Sequence, residues 1–147
     1  MADLKNVALL IAEDDPEDRM LTGEALEDAG MGEQIHFVED GEELLDFLRR
    51  QGRYQDLQGA SLPRLILLDL NMPRMDGREA LKEIKADASL RHIPIIAFTT
   101  SKAEEDILKT YDLGVASFIT KPVTYDALVN VMKTVDNYWF HTVNLPS

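Results

Sequence analysis

Five polar side chains stand at the ends of apolar runs, where another aliphatic residue would continue the pattern. Asp14 and Asp15 come just after Asn6-Val7-Ala8-Leu9-Leu10-Ile11-Ala12. Asp69 follows Leu65-Ile66-Leu67-Leu68, Thr99 follows Ile93 to Phe98, and Lys121 follows Ala116 to Thr120. A carboxylate at the end of a buried strand is costly unless something pairs with it. Three carboxylates converging at roughly 4 Å, at an effective dielectric near 20, repel by about 4 kcal/mol per pair. Lys121 supplies one compensating charge, and a divalent ion would supply the rest. The chain has no cysteine, and His36, His92 and His141 lack metal-ligand spacing, so an all-oxygen site favours Mg²⁺ (or Mn²⁺) over zinc. The chemistry open to this set is phosphoryl transfer onto a carboxylate. Asp69 is the nucleophile, and Lys121 with the metal neutralises charge on the transferring group. The Thr99 hydroxyl can bond a phosphoryl oxygen, and Phe118 can fill the space that a moving hydroxyl leaves.

The elements that position these groups can be read in order. Uninterrupted apolar runs suit parallel strands buried on both faces. Asp15-Pro16 is a helix start, with a carboxylate cap and proline at the first position; Met20, Leu21, Ala25 and Leu26 form that helix's apolar face. Gln34 to Val38 alternates and reads as an edge strand. Asp40 with Glu43, and Asp76 with Glu79, cap the second and third helices, and Ser101 with Glu104 caps the fourth. Ile107 and Tyr111 turn the fourth helix inward, and Thr124 caps the fifth. Residues 51–62 are polar, longer than a usual connection, and read as either a surface insertion or a mobile loop, with no visible chemistry. Strand and helix alternate five times. That predicts a doubly wound α/β fold with a five-stranded parallel sheet in the flavodoxin-like order 2-1-3-4-5. In such a sheet Asp14, Asp15, Asp69, Thr99 and Lys121 all lie at one edge, where open α/β sheets bind ligands.

The 147 residues suit one domain, 1–147, with 140–147 as a C-terminal extension still carrying Phe140, Val143 and Leu145. Fifteen basic against 27 acidic residues give a net charge of −12, which argues against a nucleic-acid partner. No apolar run is long enough to span a bilayer and no signal segment opens the chain, so a cytoplasmic protein without membrane contact is expected.

Asp14-Asp15, Leu68-Asp69-Leu70-Asn71-Met72-Pro73, Thr99 and Lys121-Pro122 resemble the receiver domains of two-component response regulators. The resemblance implies that Asp69 accepts a phosphoryl group from a sensor histidine kinase. It implies that Asp15, Asp69 and the Asn71 carbonyl hold Mg²⁺, with Asp14 reaching the ion through water. Thr99 and Phe118 would be the switch pair, Lys121 the phosphoryl partner, Asn71 and Ser101 the positions that tune hydrolysis, and Lys121-Pro122 a cis peptide. Tyr111-Asp112-Leu113, the long segment after the second helix and the ending Asn137 to Pro146 are similar to phytochrome-associated single-domain regulators. That implies a light-sensing kinase partner and a homodimer through the fourth helix, fifth strand and fifth helix, with Ile107, Tyr111, Val131, Tyr138 and Trp139 at the interface.

Three other readings compete. A phosphorylation-independent adaptor could share the fold. An aspartyl-phosphate phosphatase usually carries a second Asp two residues after its nucleophile, where this chain has Asn71. A flavodoxin-like FMN protein needs a phosphate loop after the first strand, where Glu13-Asp14-Asp15-Pro16 would repel the phosphate.

Overall fold

The computed structural model describes residues 4–32, 34–100 and 104–142. Five strands, β1 (Leu9–Ala12), β2 (Ile35–Val38), β3 (Leu65–Leu68), β4 (Ile95–Thr99) and β5 (Ser117–Thr120), alternate with five helices. The helices are α1 (Pro16–Asp28), α2 (Gly41–Arg49), α3 (Gly77–Ala86), α4 (Glu104–Asp112) and α5 (Tyr125–Asp136). All strand pairs are parallel, in the order β2-β1-β3-β4-β5. The expected order is thus the observed one. Its cause is the central position of β1, β3 and β4, whose residues are buried on both faces.

Strand alternation sorts the apolar side chains into two layers. Leu10, Ile66, Leu68, Ile95 and Ala97 pack with α2 and α3 through Leu44, Phe47, Leu81 and Ile84. Leu9, Ile11, Leu65, Leu67, Ile96 and Phe98 pack with α1 and α5 through Ala25, Leu26, Leu128, Met132 and Val135. On α1 the expected Leu21, Ala25 and Leu26 face the core, but Met20 does not. Met20 is 56% exposed, and Thr22 is buried beside Ala25 and Leu26. At 100° per residue, positions 22, 25, 26 and 29 share a stripe that position 20 misses. Tyr111, also expected inward, is 46% exposed. Its hydroxyl instead accepts the Phe118 backbone N–H (3.2 Å) on the outer edge of β5, because β5 is an edge strand with backbone donors that need partners.

The caps follow the sequence. Asp15 accepts from the Glu17 and Asp18 N–H groups, Asp40 from Glu43, Asp76 from Arg78 and Glu79, and Thr124 from Ala127. Ser101 and residues 143–147 lie outside the described residues. The Lys121–Pro122 peptide is trans, the intrinsically favoured isomer, and not the expected cis.

The segment expected to be a surface insertion or a mobile loop is anchored. Gly52–Leu57 forms a 3-10 turn with Tyr54 and Leu57 buried. The Tyr54 hydroxyl donates to Glu43 (2.6 Å) and lies 2.9 Å from His36 Nε2. The Arg50 guanidinium donates to the carbonyls of Phe47 (2.9 Å) and Ser61 (2.7 Å), fixing both ends of the segment. His36 is therefore a packing residue, stacked on Phe47, and burial pulls its pKa down.

Candidate phosphoacceptor site

Asp69 leaves the carboxyl end of β3 directly beside β1, where its backbone N–H donates to the Ala12 carbonyl (3.0 Å). The register pairs Ala12 with Leu68, so the next residue of each strand, Glu13 and Asp69, stand opposite each other. Leu9, Ile11 and Glu13 share one parity, as do Leu65, Leu67 and Asp69, and both sets face α1 and α5. Both acids are buried. Lys121, two residues after Ile119 of the same layer, crosses to meet them. Its ammonium donates to Glu13, to Asp18 (3.0 Å) and to Asp69 Oδ2 (3.1 Å). The other Asp69 oxygen, Oδ1, accepts the Asn71 N–H (3.0 Å). The Asp69 carboxylate is thus held from both sides at the loop edge.

One carboxylate oxygen from each of Glu13, Asp14 and Asp69 falls within 4.8 Å of the others. Asp15 does not join them. Its side chain is exposed and turned to the start of α1, where it accepts from Glu17 N (2.9 Å) and Asp18 N (3.4 Å). The expected acid pair Asp14/Asp15 is therefore shifted by one residue, to Glu13/Asp14. The reason is that Glu13 still belongs to the sheet, donating its N–H to the Val38 carbonyl (2.9 Å), and keeps the strand's alternation. Two signals in the sequence pointed to it: Glu13 is the first polar residue after its apolar run, as Asp69 is after its own, and it matches Ile11 in parity. Arg19 was also missed. From α1 its guanidinium donates to the carbonyls of Glu13 (3.1 Å) and Asp14 (2.8 Å) and pins the acidic loop.

Thr99 ends β4 fully buried, and its Oγ1 accepts from Asn71 Nδ2 (3.2 Å). Phe118 is half-buried against the α2/α3 layer, paired across β4–β5 with Ala97. The loop carrying Asn71 is moored to α2, with Gly41 N donating to the Met75 carbonyl (2.9 Å) and Arg74 Nε lying 3.5 Å from Asp40.

The electrostatics show what the donor set lacks. Burial pushes the Glu13 carboxyl up to about 7; the Lys121 hydrogen bond opposes this and the Asp69 charge adds to it. For Lys121, burial favours the neutral amine, but bonds to Glu13 and Asp18 and the Asp69 charge outweigh it, and the pKa rises. One ammonium among these carboxylates leaves the cluster net negative. Hard oxygen donors with surplus charge suit a divalent cation of the Mg²⁺ class.

A pH prediction follows. The folded protein prefers Glu13 protonated, so this group's stabilising contribution is complete below about pH 4.5 and is lost as pH rises through about 7. In EDTA, wild type should lose about 2 kcal/mol of stability relative to Glu13→Gln between pH 5 and pH 8. Urea melts at both pH values check this, and parallel pH curves for the two proteins would refute it.

A model of the response regulator receiver domain matches residues 9–133. The chain belongs to the response regulator receiver family. Among its relatives is response regulator Rcp1 of Synechocystis, 36% identical over 95% of this chain and 92% of that protein. A crystal structure of the phosphorylated cyanobacterial phytochrome response regulator RcpA superposes with a TM-score of 0.85 at 40% identity, covering 95% of this chain and 97% of that one. The Mn²⁺-bound form of Rcp1 superposes at 0.83 with 36% identity, over 95% and 98% of the two chains. This receiver domain contains no helix long and apolar enough to cross a membrane among its described residues.

Proposed function

We propose that this receiver domain accepts a phosphoryl group on Asp69 from a sensor histidine kinase of the phytochrome class and signals through protein contacts. The observation that carries the reading is the bond between Lys121 Nζ and Asp69 Oδ2 at the loop edge of the sheet, 3.1 Å long. A carboxylate and an ammonium side by side support a nucleophile paired with a cation for the incoming phosphoryl oxygens. Asp69 attacks and Lys121 neutralises developing charge, so the protein catalyses its own modification without turning over a substrate. Glu13, Asp14 and Asp69 are the side chains for Mg²⁺ (or Mn²⁺), with the Asn71 carbonyl as a further ligand. When bound, the ion supplies charge neutralisation on the transferring group. The likeness to a Mn²⁺-bound relative and to a phosphorylated one supports both assignments.

The Thr99 hydroxyl is the switch: it exchanges its Asn71 partner for a phosphoryl oxygen, and Phe118 moves with it. Asn71, exposed at the mouth and already bonded to Thr99, tunes hydrolysis by its access to attacking water. We assign residues 1–147 to one domain and the dimer surface to α4, β5 and α5. In the π-helical turn Asn137–Thr142 that follows α5, Tyr138 is 52% exposed and stands edge-on to half-buried Trp139, and Val131 on α5 is half-buried.

Native mass spectrometry in Mg²⁺, with and without acetyl phosphate, tests the reading. One phosphoryl adduct should appear on wild type and none on Asp69→Asn, and the same spectra report the dimer. Wild type without an adduct would favour the adaptor. In EDTA, Asp69→Asn should melt higher by a few degrees, corresponding to about 1 kcal/mol, because it relieves Glu13 and Asp14 while Lys121 keeps two partners. A lower melting temperature would refute the charge argument.

A further inference from the structure

An ammonium has three N–H donors, and those of Lys121 are all taken, by Glu13, Asp18 and Asp69. Glu13 and Asp69 belong to the proposed phosphoacceptor chemistry. Asp18 does not: it stands on the first turn of α1, and its carboxylate is neither in the three-acid cluster nor on the sheet. We propose that Asp18 is a positioning residue that restrains Lys121 and thereby limits how readily Asp69 takes up and keeps a phosphoryl group. The inference rests on the phosphoacceptor reading above.

The charge changes define the competition. With acetyl phosphate, an Asp69 oxygen forms a bond to phosphorus, the phosphorus–oxygen bond to the acetyl group breaks, and acetate leaves with the electron pair. Position 69 goes from one negative charge to two, and the Lys121 donor bonded to the carboxylate must serve the phosphoryl oxygens. Further donors become available only if another partner releases the ammonium. Glu13 is the costly one to abandon, since its side chain is 4% exposed and would be left as an unpaired buried charge. The Asp18 side chain is 38% exposed, so water can solvate it when the lysine leaves. Asp18 is therefore the partner that yields. Until it does, it occupies a donor and adds a negative charge beside the incoming anion.

Asp18→Asn tests this against Glu17→Gln, which removes a charge from the same turn without touching Lys121. Two readouts are the rate of adduct formation from acetyl phosphate and the affinity for beryllofluoride in Mg²⁺, with melting curves confirming that each variant is folded. Asp18→Asn should raise both by roughly fivefold, the scale of one half-exposed ion pair. Glu17→Gln should stay within about twofold, and Asp18→Glu should stay near wild type. Equal gains from Glu17→Gln and Asp18→Asn would overturn the proposal in favour of a diffuse charge effect. Unchanged or slower uptake by Asp18→Asn would overturn it outright. In either case an adduct on wild type leaves the phosphoacceptor reading intact, whereas no adduct on wild type removes both.

Discussion

Replacing Lys121 with methionine should lower the melting temperature of the metal-free protein by about 10 °C, close to 3 kcal/mol. The side chain is 11% exposed and sits among Glu13, Asp18 and Asp69, the first and last of them nearly buried. Methionine fills most of the volume, so lost packing is small. What is lost is the cation, and removing one partner of a buried pair leaves the other charge without compensation. The defect should therefore be conditional. Lowering the pH towards 5 should recover part of it, because Glu13 then takes up a proton. The double variant Lys121→Met with Glu13→Gln should be more stable than the single one, a non-additivity expected only of groups in contact. Thermal melts in EDTA at two pH values decide the matter. A loss under 2 °C, or additive variants, would show that Lys121 does not offset the buried carboxylates.

Gly77→Ala should cost about 3 kcal/mol and displace Asp69 with it. An added Cβ would meet the Asp69 carbonyl oxygen, lie 2.7 Å from the Leu70 Cα and 3.1 Å from the Asp69 carbonyl carbon. All three are backbone atoms of the segment that carries Asp69, and Gly77 N donates to the Leu70 carbonyl (3.1 Å). No rotamer change can relieve the clash, so either α3 or the end of β3 moves. Gly23→Ala should do the opposite. Its Cβ would stand 3.7 Å from the Phe37 ring, an ordinary contact, and alanine favours the middle of α1 by about 1 kcal/mol. Denaturant titrations of both, with acetyl phosphate labelling of Gly77→Ala, check the pair. A Gly77→Ala protein of native stability and labelling rate would contradict the packing described at the site.

The third, fourth and fifth strands lent themselves to a sequence reading because each apolar run stops at a residue that cannot continue it. Asp69, Thr99 and Lys121 mark those stops, and the sheet order brings the stops to one edge. The caps at Asp15, Asp40, Asp76 and Thr124 were equally legible, since capping is local chemistry between a side chain and amides two or three residues on. The first strand was harder. Three consecutive acids follow it, and although Glu13 keeps the parity of Ile11 and Asp15 precedes Pro16, the spacing does not show how far the strand continues into the acidic run.

The sequence by itself determined the elements, their order and the sheet edge at which Asp69, Thr99 and Lys121 meet, because periodicity and turn residues act over short stretches and the strand order follows from topology. Only the tertiary structure decided that Glu13 joins Asp14 while Asp15 caps α1, because that depends on how far β1 stays laddered to β2 before the chain turns. It also decided that Lys121 reaches Asp18, 103 residues away along the chain, and that Tyr54 closes over His36. Those contacts join residues whose spacing carries no signal, and they exist because packing α1 and the Gly52–Leu57 turn against the sheet brings those groups within reach of each other.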